Sequence, residues 1–357
     1  MNESLPSGLK YYAFSEEIKQ ELGMVIPVWF PEGMARDQIR RIVLTALRDC
    51  ELYVLLPHLK VVVDGYGVCH EVLQEIQTEF EGRVGSTFDL LTLQENRGKG
   101  GAVCAGMRKL LDDGKVRYLS VRDADGDHFL NDLPNLFRMG KQISEETSAK
   151  YVGVMGRRAS LHRPLGFQRG EYEILLDRIV LETLKFALAK QDKVLNMQYF
   201  STYGEAPDFQ SGYKLYNAES ARLIVTVMEI EGEKSPDYDI VRYGIEIVPV
   251  VEILLKGGVW GEVNRMTYNE QPTTAYGGEK RVRFYGGKTA WLFRRLDINA
   301  SQAAQFLDNA ILRNVLSRDP DGLSELMAFR AYVLRVLQRA VGGQREFEPE
   351  IFEPAYC

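Results

Sequence analysis

The sequence predicts an α/β protein with a mostly parallel central sheet, helices on both faces and a helical appendage at the C-terminal end. Three observations carry this expectation. Strand-like apolar runs alternate with helical patterns through the first half, two further helical patterns close the chain, and no repeat or low-complexity tract interrupts either part. With 357 residues and 45% hydrophobic content, the chain can bury one large core or two modest ones.

Met24–Phe30 reads as the first strand, followed by Ile39, Ile42, Val43, Ala46 and Leu47 at helical spacing. Val61–Val63 is a second strand ending at Asp64-Gly65, and Val72, Leu73, Ile76 and Phe80 mark the next helix face. Leu90–Leu93 is a third strand, with a helix through Val103, Met107, Leu110 and Leu111. A fourth strand, Val116–Val121, runs directly into Asp123-Ala124-Asp125-Gly126-Asp127-His128. After Tyr151–Met155 the regularity weakens. A long helix is expected over about 171–190, then mixed segments to about Tyr285. From Ser301, one helical pattern carries Ala304, Leu307, Ile311, Leu312 and Val315. The other carries Leu323, Met327, Val333, Leu334 and Leu337, and stops at Gly342-Gly343. The expected division is 1–285 for the main domain, with halves of about 23–155 and 156–285, and 286–357 for the extension.

The net charge of −6 gives no overall basic footprint, so no nucleic-acid partner is expected. Cys50, Cys69, Cys104 and Cys357 lack the paired spacing of a zinc or redox motif and read as reduced thiols. Met1–Gln20 carries no apolar h-region, and no run of about 18 apolar residues occurs. The expectation is a cytoplasmic protein without a transmembrane segment, with association at a membrane surface still open.

In an open parallel sheet, ligands collect beyond the carboxyl ends of the strands, and four such places look chemical. Asp123, Asp125 and Asp127 offer alternating carboxylates as hard ligands for Mg2+ or Mn2+, with His128 beside them, while leaving coordination sites for phosphate oxygens. An EF-hand reading fails, because His128 would replace its Gly and Pro134 its final Glu. A solvated acidic turn is the plain alternative. Asn96-Arg97-Gly98-Lys99-Gly100-Gly101 lies between a strand and a helix. There Lys99 can face phosphate, or the glycines can serve packing alone. It is no P-loop, since neither Ser nor Thr follows Lys99. Asp64-Gly65-Tyr66-Gly67 resembles a dinucleotide fingerprint only until His70 stands at the third glycine. Asp64 reads equally as an acceptor for a base imide or as a helix N-cap. Asp208-Phe209-Gln210-Ser211-Gly212-Tyr213-Lys214 combines a carboxylate, an amide and a cation, which suits an acceptor site with Asp208 as base or as cap. Glu246, set among apolar residues, is a second candidate catalytic carboxylate. Arg157, Arg158, Arg163 and Arg169 can clamp an anion or simply be solvated.

Taken in order, these segments resemble the family 2 glycosyltransferases of GT-A fold, nearest the dolichyl-phosphate sugar synthase branch. Ile26-Pro27-Val28-Trp29-Phe30-Pro31-Glu32 is similar to the family's first-strand motif, and Val61–Gly65 to its second. Asn96–Gly100 is similar to the third motif, Asp123-Ala124-Asp125 to the DXD metal motif, and Asp208–Tyr216 to the acceptor-side motif. The resemblance covers about 23–265. It implies nucleotide contacts at Pro27, Phe30, Glu32, Asp64, Asn96, Lys99 and Asp123-Ala124-Asp125, with acceptor contacts at Gln210, Gly212, Lys214 and Arg169. Phe30-Pro31 stands where the family has Tyr-Asn, and Asp64-Gly65 lacks its second Asp. Arg242-Tyr243-Gly244-Ile245-Glu246 is also similar to the glucosyl-3-phosphoglycerate synthases, which retain anomeric configuration.

The resulting expectation is a hexosyltransferase passing sugar from a UDP- or GDP-linked donor to a small-molecule, saccharide or lipid-phosphate acceptor. The rivals are a sugar-phosphate nucleotidyltransferase and a non-catalytic nucleotide-sugar-binding protein. Pro31-Glu32-Gly33-Met34-Ala35-Arg36 lacks the nucleotidyltransferases' glycine-rich loop. The C-terminal apolar stripes suit core packing or a homodimer contact.

Overall fold

The computed structural model describes residues 7–65, 67–201, 205–234, 238–267 and 278–341. Gly342-Gly343 and Cys357 lie outside the described residues. The chain opens with α1 (Ser7–Glu21), β1 (Leu22–Val28), α2 (Arg36–Leu47), β2 (Leu59–Val63), α3 (Val68–Val84), β3 (Asp89–Thr92), α4 (Gly98–Asp113) and β4 (Tyr118–Val121). Then come α5 (Leu133–Thr147), β5 (Val152–Arg158), α6 (His162–Leu165), α7 (Phe167–Ala189), β6 (Lys214–Asn217), α8 (Ala218–Lys234), α9 (Ile240–Tyr243) and α10 (Val248–Leu255). The last elements are β7 (Val259–Arg265), α11 (Gly278–Arg295), α12 (Ala300–Arg313) and α13 (Pro320–Val341).

The α/β class and the C-terminal helices expected from the sequence are both present. Among the described residues seven strands form one sheet, ordered β3-β2-β1-β4-β6-β5-β7. Only β6 runs antiparallel to its neighbours, β4 and β5. The four strands anticipated in the first half are found with edges shifted by a few residues, whereas β6, β7, α5, α10 and α11 were not anticipated individually. Lys214, expected in a loop, opens β6 and stands opposite Val121.

Side chains alternate across the sheet, as strand geometry requires. Met24, Ile26 and Val28 of β1 join Val61 and Val63 of β2 in a core shared with α2, α3 and α5. Val25 and Val62 face the opposite core, shared with α4, α7, α8 and α10. Trp291 and Phe293 of α11 and Phe329 of α13 are fully buried in that same second core. A buried Trp removes roughly 150–250 Å² from water, about 4–6 kcal/mol at about 25 cal/mol per Å². The boundary expected near 285 falls inside α11. Cys50, Cys69 and Cys104 are free thiols.

The sheet order places the site. From β1 the chain builds outward through β2 and β3, then returns to add β4 on the other side of β1. Such a reversal opens a crevice beyond the carboxyl ends of the strands. β4 pairs only with Leu22–Val25, so Pro27 and Val28 extend past its end. Pro27 cannot donate a ladder bond, and it stands where β1 has no β4 partner.

Candidate active site

A cleft of about 380 Å³ occupies this crevice. Pro27, Val28, Trp29 and Phe30 line it from the end of β1, and Asp64 from the end of β2. Asn96, Gly98 and Lys99 enter at the start of α4, and Asp123, Ala124 and Asp125 at the end of β4. Arg169, Glu173, Gln210, Arg242, Tyr243 and Glu246 form the opposite wall, with Phe284, Tyr285 and Lys288 from α11.

At its centre the Lys99 ammonium lies 2.8 Å from Asp123 Oδ1 and 3.0 Å from Glu246 Oε1. Burial opposes its charge, yet these two carboxylates raise the Lys99 pKa above its ordinary value. Burial likewise disfavours the charged form of Glu246, but Lys99, Lys288 and Lys214 hold it below the usual carboxylate range. Asp125 behaves in the opposite way. Burial and the neighbouring charge of Asp123 push its carboxyl up to about 6.

Asp64 Oδ1 accepts the Arg97 N–H at 2.7 Å and so ties the end of β2 to the start of α4. Asp64 does not cap α3, whose N-cap is Gly67 with no side-chain cap, and it lines the cleft. Asn96 accepts from Arg242 Nη1 through Oδ1 at 2.5 Å and from Nη2 through its carbonyl at 2.7 Å. That junction explains the glycines. Gly98 has φ of +78°, and a Cβ there would lie 2.4 Å from Arg242 Cα. At Gly100 a Cβ would lie 2.3 Å from the Val241 carbonyl. The glycine-rich segment thus forms the first turn of α4 and lets α9 pack close, bringing Arg242 and Tyr243 to the cleft.

On the other wall, Glu173 Oε1 accepts Arg169 Nε at 3.2 Å and the Tyr285 hydroxyl at 3.1 Å. Gln210 Oε1 accepts Lys288 Nζ at 2.8 Å. Lys288 also sits 4.7 Å from the centre of the Phe284 ring, and burial lowers its pKa despite nearby Glu246 and Glu173.

Several expected site residues lie behind this surface. Asp208 does not line the cleft. Its oxygens receive Arg158 Nη2 at 2.6 Å, Arg158 Nε at 2.9 Å and the Arg158 N–H at 2.9 Å. Burial alone would raise its carboxyl, but Arg158 holds it below the usual range, so the base expected here is already engaged as an anion. Lys214 is 1% exposed, and its Nζ donates to the Phe209 carbonyl at 3.1 Å and to the Ser211 carbonyl. It holds the 208–213 loop from within, and burial pushes its pKa down to about 7. Gly212 lies beneath the central pair, where a Cβ would stand 2.8 Å from Asp123 Oδ2 and Lys99 Nζ. Glu32 is exposed on the turn after β1 and does not line the cleft.

The metal set is correspondingly narrower than the sequence suggested. His128 Nδ1 accepts the Asp123 N–H at 2.9 Å, which puts the ring proton on Nε2 and leaves no lone pair there for a cation. Its ring stacks on Tyr213 at 4.8 Å, and burial together with Arg265 and other cations keeps it neutral. Asp127 is 2% exposed, outside the cleft, with Arg265 Nη2 3.5 Å from Oδ2. Its N–H donates to Asp125 Oδ1 at 3.1 Å and orients that carboxylate. Among the described residues no three His, Cys, Asp or Glu side chains form a self-contained metal cage. Asp123 and Asp125 nevertheless fit Mg2+ or Mn2+ of the kind completed by substrate phosphate oxygens and water. Both carboxylates line the cleft side by side, and carboxylate oxygens are hard ligands of the kind these cations take.

Trp29, Glu173, Tyr243, Phe284, Tyr285 and Lys288 line the cleft without having been singled out as site residues. Trp29 is 57% exposed and lines the cleft, and a Trp at the end of the first apolar strand was the available signal.

No protein-family model matches the chain, and no curated protein sequence matches it. Among solved structures, a mycobacterial protein is 14% identical, covering 83% of this chain and 81% of its own, with a TM-score of 0.45. GalNAc-T7, solved with UDP, GalNAc and Mn2+, is 13% identical over 92% of this chain and 63% of its own, at 0.40. A CMP:2-keto-3-deoxy-manno-octonic acid synthetase complexed with CTP is 9% identical over 69% and 90%, at 0.36. Likenesses this remote say nothing about activity. Among the described residues no helix is long and apolar enough to cross a membrane.

Proposed function

We propose that this chain is a glycosyltransferase that moves a sugar from a UDP- or GDP-linked donor to an alcohol or phosphate acceptor. The observation that supports it best is the convergence of Asp123, Asp125, Lys99 and Glu246 in one cleft at the reversal point of the sheet. In this reading the nucleotide lies along Pro27–Phe30 and Asp64, with Trp29 as an aromatic face for the base. Asp123 and Asp125 would hold Mg2+ or Mn2+, which neutralises charge on a departing diphosphate. Lys99 keeps Asp123 and Glu246 in register, and Glu246, held anionic, is the carboxylate that can accept a hydrogen bond or a proton from the acceptor. Arg169, Gln210 and Lys288 form the acceptor side.

The test is a thermal-shift series with nucleoside diphosphates and nucleotide sugars, with and without Mn2+. A ligand specific for the native state raises the melting temperature, by about 2.7 kcal/mol of stabilisation at about 100-fold excess over its Kd. The reading predicts a metal-dependent rise with UDP or GDP that is lost in Asp125→Ala. Equal shifts in wild type and variant would count against it.

A further inference from the structure

A second cavity, of about 310 Å³, lies between the end of β5, the loop after it, and one face of α7. Arg158 lines this cavity and Glu173 lines the cleft, so the 2.8 Å pair between them stands as a partition between the two spaces. Its charged and polar lining is Arg157, Arg158, Ser160, His162, Asp177 and Arg178, with Glu205 and Asp208 from the loop before β6.

Their charges are unevenly committed. Arg158 is consumed by Asp208 and Glu173. Half-buried Arg178 has no hydrogen-bond or ion-pair partner among the described residues. Arg157 donates to Glu205 at 2.7 Å, but Glu205 is 73% exposed, and a rim pair of that kind contributes little. Asp177 is 3% exposed, and its Oδ1 has no hydrogen-bond partner. Burial, with Asp208 and Glu173 close by, pushes its pKa well above the usual carboxylate range. What remains is two guanidinium groups able to take a partner, a hydroxyl and a buried carboxyl with an unpartnered oxygen. Their common complement is an oxyanion with a polar body. The space exceeds the roughly 30 Å³ share of a water molecule about tenfold, which is room for a small organic molecule.

We infer that this cavity binds a small molecule carrying a phosphate or carboxylate group, clamped between Arg157 and Arg178, with Ser160 and Asp177 hydrogen-bonding its body. The site is separate from the proposed transferase cleft and stands whether or not that assignment holds.

Isothermal titration of the full chain with inorganic phosphate and, separately, with acetate tests it and distinguishes the two anion sources. At least one anion is expected to bind saturably. Arg178→Gln and Arg157→Gln should each weaken that binding about tenfold or more, whereas Arg242→Gln in the cleft should leave it unchanged. Urea unfolding curves of each variant confirm that the fold is intact. The inference is overturned if neither anion saturates, if both cavity variants bind as wild type does, or if Arg242→Gln alone abolishes binding.

Discussion

At Asp208 a carboxylate meets a guanidinium in two-pronged contact, while its own N–H is held at 2.9 Å by Glu262 Oε1. Removing one member of a buried pair leaves the other uncompensated, typically at about 3–5 kcal/mol. Asp208→Ala should therefore lower unfolding stability by about that amount, read by urea denaturation. A stable variant that simply lost turnover would instead return Asp208 to the role of base. The same residue shows where sequence reading stops. Asp123 and Asp125 were recognisable because they directly follow a buried strand, and position alone brings them to the crevice. The partner of Asp208 lies 50 residues earlier, in β5, and nothing in the local pattern announces that pairing. The role of His128 stays open in the sequence for a related reason. Its place beside three aspartates suggested a ligand, while its use of Nδ1 for a backbone N–H depends on a turn that spacing does not reveal.

Among the elements, the junction of α4 with α9 does the positioning, since it fixes Lys99 on one side and Arg242 on the other. Gly100→Ala would drive a Cβ into the Val241 carbonyl, a backbone atom that cannot rotate away. Overpacking of this sort costs about 1–3 kcal/mol. The variant should lose stability in that range and bind nucleoside diphosphate more weakly; unchanged affinity at reduced stability would separate the junction from the site. The first four strands were legible because each is a short apolar run, the first three followed by a helical pattern and the fourth by the acidic run. The others were not. β6 is a four-residue strand with Lys214 at one end and Asn217 at the other, paired only through long-range contacts. α11 carries Gly286-Gly287 at its centre, which reads as a break. In the fold those positions pack against Tyr332 and Tyr238, closer than a side chain would allow.

For the molecule as a whole, the cleft is assembled from two sources. The carboxyl ends of β1, β2 and β4, with the start of α4, supply acidic groups and Lys99. The 205–213 loop, α7, α11 and the segment through α9 to Glu246 supply the facing amide, cations, aromatic rings and the carboxylates of Glu173 and Glu246. α11 belongs to the large second core through Trp291 and Phe293, and a bidentate Arg281–Glu325 contact at 2.6 and 2.8 Å ties it to α13. The C-terminal helices therefore help to complete the site, a dependence that helical periodicity alone could not disclose.

The central claim is that Asp123 and Asp125 serve sugar transfer from a nucleotide donor. It is tested most directly by measuring nucleoside diphosphate release from UDP and GDP sugars with Mn2+, for wild type and Asp125→Ala. The account predicts metal-dependent release that falls roughly a hundredfold or more in the variant. Undiminished release by Asp125→Ala, or pyrophosphate release from nucleoside triphosphate and sugar 1-phosphate in its place, would contradict it.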